Sequence, residues 1–250
     1  MDKQYDIIIC DLDGTLARSK QAIEQDMADM ISRVLSSGRA FGVITGGIKS
    51  QVFNQVVNQL PGHTPLERLY AMPTSGAQMY HYDGNNWQAS FPPMMLAEEE
   101  KEQIRDAFSQ VMAMNLVEEP VELWGEQLED REAQMSWSAL GQQAPVEKKE
   151  QWDPDRNKRK KMVAQLAPLI PGFHVKFGGS TTIDITQEGV DKEFGINKFF
   201  EVTGLDKQDC LFIGDAIEPG GNDYAATKTG VDCMGTLGPS QTLEILARQR

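Results

Sequence analysis

The chain has 250 residues, of which 40% are hydrophobic, and its 37 Asp and Glu against 24 Lys and Arg give a formal net charge of −13. That length and apolar content suffice for one large or two smaller cores, while the acidic surplus argues against non-specific nucleic-acid or anionic-membrane binding, both of which need a basic surface. With no apolar run near 18 residues, no leader-like start and three cysteines lacking C-x-x-C spacing, the expectation is a soluble, cytoplasmic protein without a disulfide framework or zinc site.

The apolar run Ile7-Ile8-Ile9-Cys10 reads as a strand buried on both faces, and it ends in Asp11-Leu12-Asp13-Gly14-Thr15-Leu16. Side chains alternate along an extended segment, so Asp11 and Asp13 leave the strand end on one side while Leu12 turns back. Two hard oxygen ligands this close suit one Mg²⁺, which relieves their mutual repulsion. Ile23, Met27, Met30, Ile31, Val34 and Leu35 then recur at helical spacing up to Gly38. A second buried strand over 40–44 delivers Thr45-Gly46-Gly47 to its carboxyl end. The next helix carries Val52, Phe53, Val56, Val57 and Leu60 to Pro61-Gly62, and its free amino-terminal N–H groups favour an anion. A third strand over 68–72 and a hairpin over 78–89, turning at Asp83-Gly84, follow.

From residue 85 the pattern changes. A charged helix over 96–114 precedes two alternating strands within 121–140, the second including Met135, Trp137 and Ala139, of the half-buried antiparallel kind. The basic run from Arg156 to Lys161 opens a helix whose other face carries Met162, Val163, Leu166 and Leu169, so it reads as a solvated helix face. Strands over 173–177 and 181–185 flank Gly178-Gly179. The expectation is an α+β insertion over 85–186 within a parallel α/β domain made of 1–84 and 187–250.

The first pattern resumes at Gly189-Val190-Asp191-Lys192, which opens a helix closed at Gly204. Lys192 stands in its first turn, where the helix dipole disfavours positive charge and an anionic partner is needed. The strand Cys210-Leu211-Phe212-Ile213 then delivers Gly214-Asp215, with Asn222 and Asp223 on a glycine-bearing loop as further oxygen ligands for Mg²⁺. Open parallel sheets bind ligands outside the carboxyl ends of their strands. Metal ligands, a hydroxyl, backbone donors and a lysine converging there are what a carboxylate needs to attack a phosphate dianion.

These motifs resemble those of the haloacid dehalogenase superfamily, in which Asp-x-Asp-Gly-Thr, a strand-end Ser or Thr, a Lys and a Gly-Asp-containing acidic loop are the four signatures. Within its subclass IIB the likeness is to the eukaryotic-type phosphomannomutases. It is carried by Pro-Gly-Gly-Asn-Asp at 219 to 223, Gly-Val-Asp-Lys at 189 to 192, Gly-Gly followed by Asp184 at 178 to 184, and Gly-Val-Ile-Thr-Gly-Gly at 42 to 47. The resemblance implies a Rossmann-like α/β core with an inserted α+β cap of the C2 type. It implies Asp11 as the nucleophile that becomes aspartyl phosphate and Asp13 as the general acid/base, which lends its backbone carbonyl to Mg²⁺. It further implies Thr45 and Lys192, with Gly46 and Gly47, around the transferring phosphoryl group, and Asp215 with Asn222 or Asp223 completing the metal site. Arg131, Thr182 and Asp184 fall where the mutases contact the sugar and its distal phosphate.

The departures from that family bear on the reaction. Where the mutases carry further cap arginines the matching positions hold Gln142 and Lys148 or Lys149, and near the first motif an arginine is replaced by Lys20. Neither Gln nor Lys reproduces the planar, bidentate grip of arginine on phosphate. A mutase has to retain a bisphosphorylated sugar while it reorients, whereas a phosphatase needs one phosphate site and water. The expectation is therefore a phosphatase acting on a hexose phosphate or similar small phosphorylated polyol, with phosphomannomutase as the alternative and a non-catalytic phosphosugar-binding protein as a third reading. A homodimer joined through the insertion is carried as a further expectation.

Overall fold

The structure is a computed structural model that describes residues 3–249. In chain order, β1 (Ile7–Asp11) is buried at every position, as suits an isoleucine-rich run between two layers. α1 (Gln25–Ser36) turns Met27, Met30, Ile31, Val34 and Leu35 inward, and β2 (Ala40–Ile44) is again buried throughout. α2 (Lys49–Gln55) has only 7 residues, shorter than the spacing of its apolar residues suggests. At Val56 the backbone leaves the α region (φ −123°, ψ −66°) and one 3₁₀ turn over Val57–Gln59 completes the run; the adjacent β-branched residues Val56 and Val57 are poor helix propagators. Then come β3 (Leu69–Met72), β4 (Tyr80–Tyr82), β5 (Trp87–Ala89), α3 (Glu98–Ala113), β6 (Leu128–Asp130), β7 (Gln134–Ser138), α4 (Val146–Trp152) and α5 (Asn157–Leu166). The chain ends with β8 (Phe173–Phe177), β9 (Thr182–Gln187), α6 (Lys192–Thr203), β10 (Cys210–Gly214), β11 (Asp232–Gly235) and α7 (Pro239–Arg248).

The chain divides into two units, one running through Pro93 and resuming at Asp191, the other spanning Met94–Val190. The sequence reading sets these junctions at 84/85 and 186/187. The first lies later because β5 pairs with β4, Tyr82 opposite Trp87, and so belongs to the larger sheet.

In the first unit seven strands form one sheet in the order β11-β10-β1-β2-β3-β4-β5. The pairs from β11 to β3 are parallel and the last two antiparallel. Alternate residues of the central β1 feed two cores. Ile8 and Cys10 pack with the inner faces of α1 and α7, whereas Ile7 and Ile9 pack with Ile196, Phe199 and Phe200 of α6. Both faces are thus covered, the arrangement an all-apolar parallel strand requires.

In the second unit four antiparallel strands run in the order β6-β7-β9-β8. Met135, Trp137, Ile183 and Ile185 form a core with Ile104 and Phe108 of α3 and Met162 and Leu166 of α5. The alternate residues Ser136, Ser138, Asp184 and Thr186 are buried polar groups on the other face. The first of the two strands expected within 121–140 is short: Val121 is exposed, and β6 begins only at Leu128. Pro120 lacks the N–H a ladder needs. In the basic run, Arg156, Lys160 and Lys161 are exposed as read, but Arg159 is buried. Among the described residues no helix is long and apolar enough to cross a membrane.

Candidate active site

Strand register brings the motif residues together. Asp11 stands opposite Ile44 of β2, and its predecessor Cys10 stands opposite Ile213 of β10, so Thr45 and Asp215 emerge on either side of the Asp11 strand end. Lys192 Nζ donates to Asp11 Oδ1 at 2.5 Å and also to Asp223 Oδ1. Oxygens of Asp11, Asp215 and Asp223 lie within 4.8 Å of one another. Two glycines admit this crowding: a Cβ at Gly14, where φ is +89°, would fall 2.7 Å from Asp215 Oδ2, and one at Gly214 would fall 2.5 Å from Asp223 Oδ2. Asp223 Oδ2 also accepts the Ala216 N–H at 3.1 Å, which orients this carboxylate from its loop.

The position of Lys192 is set by the seating of α6. Asp191 caps the helix, its Oδ1 accepting the Phe194 N–H at 3.1 Å. One turn on, the backbone of Gly195 meets the Thr74–Gly76 turn so closely that a Cβ on Gly195 would lie 2.7 Å from the Ser75 carbonyl oxygen. That turn is in turn tied to the end of β2, with the Ser75 N–H donating to Thr45 O at 2.7 Å and the Thr74 N–H to Gly47 O at 2.8 Å. Thr74 and Ser75 have φ of 49° and 59°, the left-handed region that costs a non-glycine residue about 1–3 kcal/mol and is found where function or tight packing imposes it.

Electrostatically the site is short of positive charge. Burial pushes the Asp11 carboxyl well above its ordinary value; Lys192 opposes this, and Asp223 and Asp215 add to it. Burial, and then the neighbouring Asp223, raise Asp215 to about 6 even though the residue is exposed. For Lys192 burial acts downward, but the Asp11 and Asp223 carboxylates outweigh it and hold the ammonium above its usual range. Three carboxylates against one ammonium leave a formal −2, which one divalent cation would balance. The buried Asp11 Oδ2 has no hydrogen-bond partner, and neither has the buried Thr15 hydroxyl. An oxygen-only donor set with this net negative charge fits Mg²⁺.

Other residues singled out from the sequence are placed differently. The Asp13 carboxylate is not one of the three in the cluster; it accepts the Lys20 N–H at 2.6 Å and the Gln51 amide at 2.9 Å. Lys20 therefore enters through its backbone, at φ 58°, and its residue is exposed. Thr45 is buried and its hydroxyl accepts the Gly47 N–H at 3.1 Å, with Gly46 half-buried between them. The anion site read at the start of the following helix has little dipole behind it, because α2 has 7 residues. Asn222 is exposed on the loop that carries Asp223.

Within the second unit Arg131, Gln142 and Lys149 are linked by hydrogen bonds, and Thr182 and Asp184 stand together on β9. Arg131 Nε donates to Glu129 at 2.6 Å and its Nη2 to Gln142 Oε1 at 3.2 Å, while Lys149 Nζ donates to the Gln142 carbonyl at 3.0 Å. Asp184 Oδ1 accepts the Ser136 hydroxyl at 2.6 Å from the facing strand. Thr182 lies against Gly178, whose missing Cβ leaves room for the Thr182 hydroxyl and the Asp184 carboxylate. Arg159, which the sequence reading puts on a solvated helix face, is instead buried and donates to Asp153 at 2.8 Å and also to the Gly179 carbonyl, bracing the β8–β9 loop. Asp153 just before a helix, accepting the Lys158 and Arg159 N–H groups, was the available signal. Gln51 and Glu129 carry none, since their partners are fixed only by folding.

Comparisons with known proteins give relatives and structures to which this chain is similar. A phosphomannomutase 1 of Mus musculus is 24% identical over 229 residues, covering 89% of this chain and 83% of that protein. A Caenorhabditis elegans protein named "Probable phosphomannomutase" is 26% identical over 231 residues, covering 87% of this chain and 84% of its own. Among solved structures, a mutant IMP-nucleotidase of Plasmodium falciparum with IMP bound superposes with a TM-score of 0.72 at 13% identity, over 99% of this chain and 68% of that one, a likeness of fold. The family described as haloacid dehalogenase-like hydrolase matches residues 8–225, which include every member of the Asp11, Lys192, Asp215 and Asp223 cluster, and the chain belongs to that family.

Proposed function

We propose that this enzyme is a Mg²⁺-dependent phosphatase of hexose phosphates or similar small phosphorylated polyols, working through an aspartyl phosphate on Asp11. The observation that carries the reading is the state of the Asp11 carboxylate: Oδ1 is held by Lys192 while the buried Oδ2 is unengaged. A nucleophilic carboxylate needs that division, one oxygen fixed and the other available. Asp11, Asp215 and Asp223 would hold the metal, with Asn222 and the Asp13 carbonyl as further oxygen donors. Bound there, Mg²⁺ supplies the positive charge that lets a carboxylate approach a phosphate dianion.

Asp11 Oδ2 attacks phosphorus and the bond from phosphorus to the sugar oxygen breaks, that oxygen taking a proton from Asp13. Asp13 then removes a proton from water, which attacks the phosphorus of the aspartyl phosphate and releases inorganic phosphate and free Asp11. Lys192 and the Thr45 hydroxyl offset charge on the transferring oxygens.

Hydrolysis is favoured over mutation by the second unit. Arg131 is already engaged by Glu129 and Gln142, Arg159 is engaged by Asp153 and by the Gly179 and Thr182 carbonyls, and the positions matching the mutases' further arginines hold Gln142 and Lys148 or Lys149. Two lost clamps at about 1.5–3 kcal/mol each lower retention of a bisphosphate by orders of magnitude. Phosphomannomutase is the second reading, supported by the named relatives. Incubation with Mg²⁺ and mannose 1-phosphate, with and without a hexose bisphosphate primer and followed by ³¹P NMR, separates the two. Free phosphate supports the phosphatase; accumulation of the 6-phosphate without it overturns that choice. Hydrolysis of an aryl phosphate that survives Asp11→Asn removes the nucleophile assignment altogether.

A further inference from the structure

Asp13 is gripped on both oxygens. Its Oδ1 accepts the backbone N–H of Lys20 at 2.6 Å, and its Oδ2 accepts the side-chain amide of Gln51, 38 residues away on α2, at 2.9 Å. Both donors are delivered by unusual local structure. Lys20 adopts φ 58°, a left-handed backbone that a residue with a Cβ seldom takes. Gln51 lies directly across the backbone of Gly47, where a Cβ would fall 2.1 Å from Gln51 Oε1 and 2.6 Å from its Cδ. Gly47 is not among the residues with positive φ, so backbone conformation does not demand a glycine there. A Cβ there would instead push the end of the Gln51 side chain from its present place.

We propose that Gln51 is the positioning residue of Asp13 and that position 47 is glycine so that Gln51 can reach it. A carboxylate that accepts one N–H on each oxygen is fixed in plane and direction, whereas one held only by Lys20 can rotate about its Cβ–Cγ bond. Orientation matters most when the leaving oxygen is basic, because that oxygen needs the proton of Asp13 as the bond to phosphorus breaks. A weakly basic oxygen departs without it. Gln51 thereby governs how far the enzyme can act on alkoxide-like leaving groups such as those of sugars. This inference rests on the reading of Asp13 as general acid.

The test uses the full chain with Mg²⁺ and a series of aryl phosphates of rising leaving-group basicity: p-nitrophenyl, phenyl and p-methoxyphenyl phosphate. Gln51→Met keeps the side chain's length and removes its donor at a half-buried helical site. It is expected to lower kcat by less than about threefold on the nitrophenyl ester and by about tenfold or more on the other two, a fraction of the 10²–10⁴ that general acid catalysis supplies. Gly47→Ala, which displaces the Gln51 amide but also alters the loop read as facing the phosphoryl group, should lower kcat on all three esters and steepen the dependence between them as Gln51→Met does. The two changes combined should steepen that dependence no further than either does alone, as expected of residues acting through one contact. An equal loss across the series, or none, overturns the inference. Asp13→Asn, run alongside, separates the failures: if it too shows no leaving-group dependence, the general-acid reading of Asp13 is what fails, and if Asp13→Asn shows that dependence while Gln51→Met does not, the role of Gln51 alone fails.

Discussion

Lys192 and Asp11, separated by 181 residues in the chain, meet at 2.5 Å, and Lys192 reaches Asp223 from the same position. One ammonium thus organises two buried carboxylates that would otherwise repel. Lys192→Met leaves both uncompensated, so the metal-free protein is expected to lose about 3–5 kcal/mol at pH 7. Acid or Mg²⁺ should restore part of that by protonating or neutralising the pair. Urea unfolding at pH 5 and 7, with and without Mg²⁺, measures this, and a loss insensitive to both would show that packing rather than charge is at stake.

Asp215 supplies the pH dependence. Its carboxyl, raised to about 6 from an ordinary 3.8, binds a proton more tightly folded than unfolded. Its contribution therefore makes the metal-free protein less stable as pH rises through that window, with the penalty complete above about 6. Mg²⁺ needs the ionised form, so the rise in melting temperature on adding Mg²⁺ should grow between roughly pH 5 and pH 7. Differential scanning fluorimetry of the parent and Asp215→Asn tests this: the parent's response should climb and the variant's stay low and flat.

Gly195 sets two effects against each other. Within a helix alanine gains up to about 0.5–1 kcal/mol over glycine, but its Cβ would stand 2.7 Å from the Ser75 carbonyl oxygen and 2.8 Å from the Gly76 Cα. Overpacking against backbone costs about 1–3 kcal/mol. Gly195→Ala should thus destabilise, and because it shifts the first turn of α6 it should lower kcat more than tenfold. A variant more stable than the parent would mean that the contact relaxes freely.

Arg159 and Asp153 form a buried pair within the second unit at 2.8 Å. Removing one partner by Arg159→Met is expected to cost about 3–5 kcal/mol, and removing both together with Asp153→Asn clearly less than the sum. Chemical denaturation of the four proteins completes the cycle; simple additivity would deny the coupling. Arg159→Lys keeps the charge but not the fork that reaches Gly179, so it should rescue only in part.

Much of this protein is legible in its sequence. Runs such as Ile7-Ile8-Ile9-Cys10 and Cys210-Leu211-Phe212-Ile213 read as strands buried on both faces, and a parallel sheet puts whatever follows them on one edge. That suffices to put Asp11, Thr45 and Asp215 at one end of the sheet, and the need of Lys192 for an anion at a helix start points it there too. The polar residues of the second unit, Arg131, Gln142 and Asp184, were legible as a group only through resemblance, since nothing in their spacing brings them together.

Folding alone decided the partners. The alternation around Val121 resembles a strand but faces solvent, and the run containing Arg159 resembles a solvated face but turns one guanidinium inward. The amide of Gln51 reaches Asp13 only because Gly47 has no side chain in between. Periodicity and strand-end position are local properties, written into the chain by burial. Which donor meets which acceptor depends on register, on the seating of helices and on ångström-scale clearances, and those exist only once distant segments have packed.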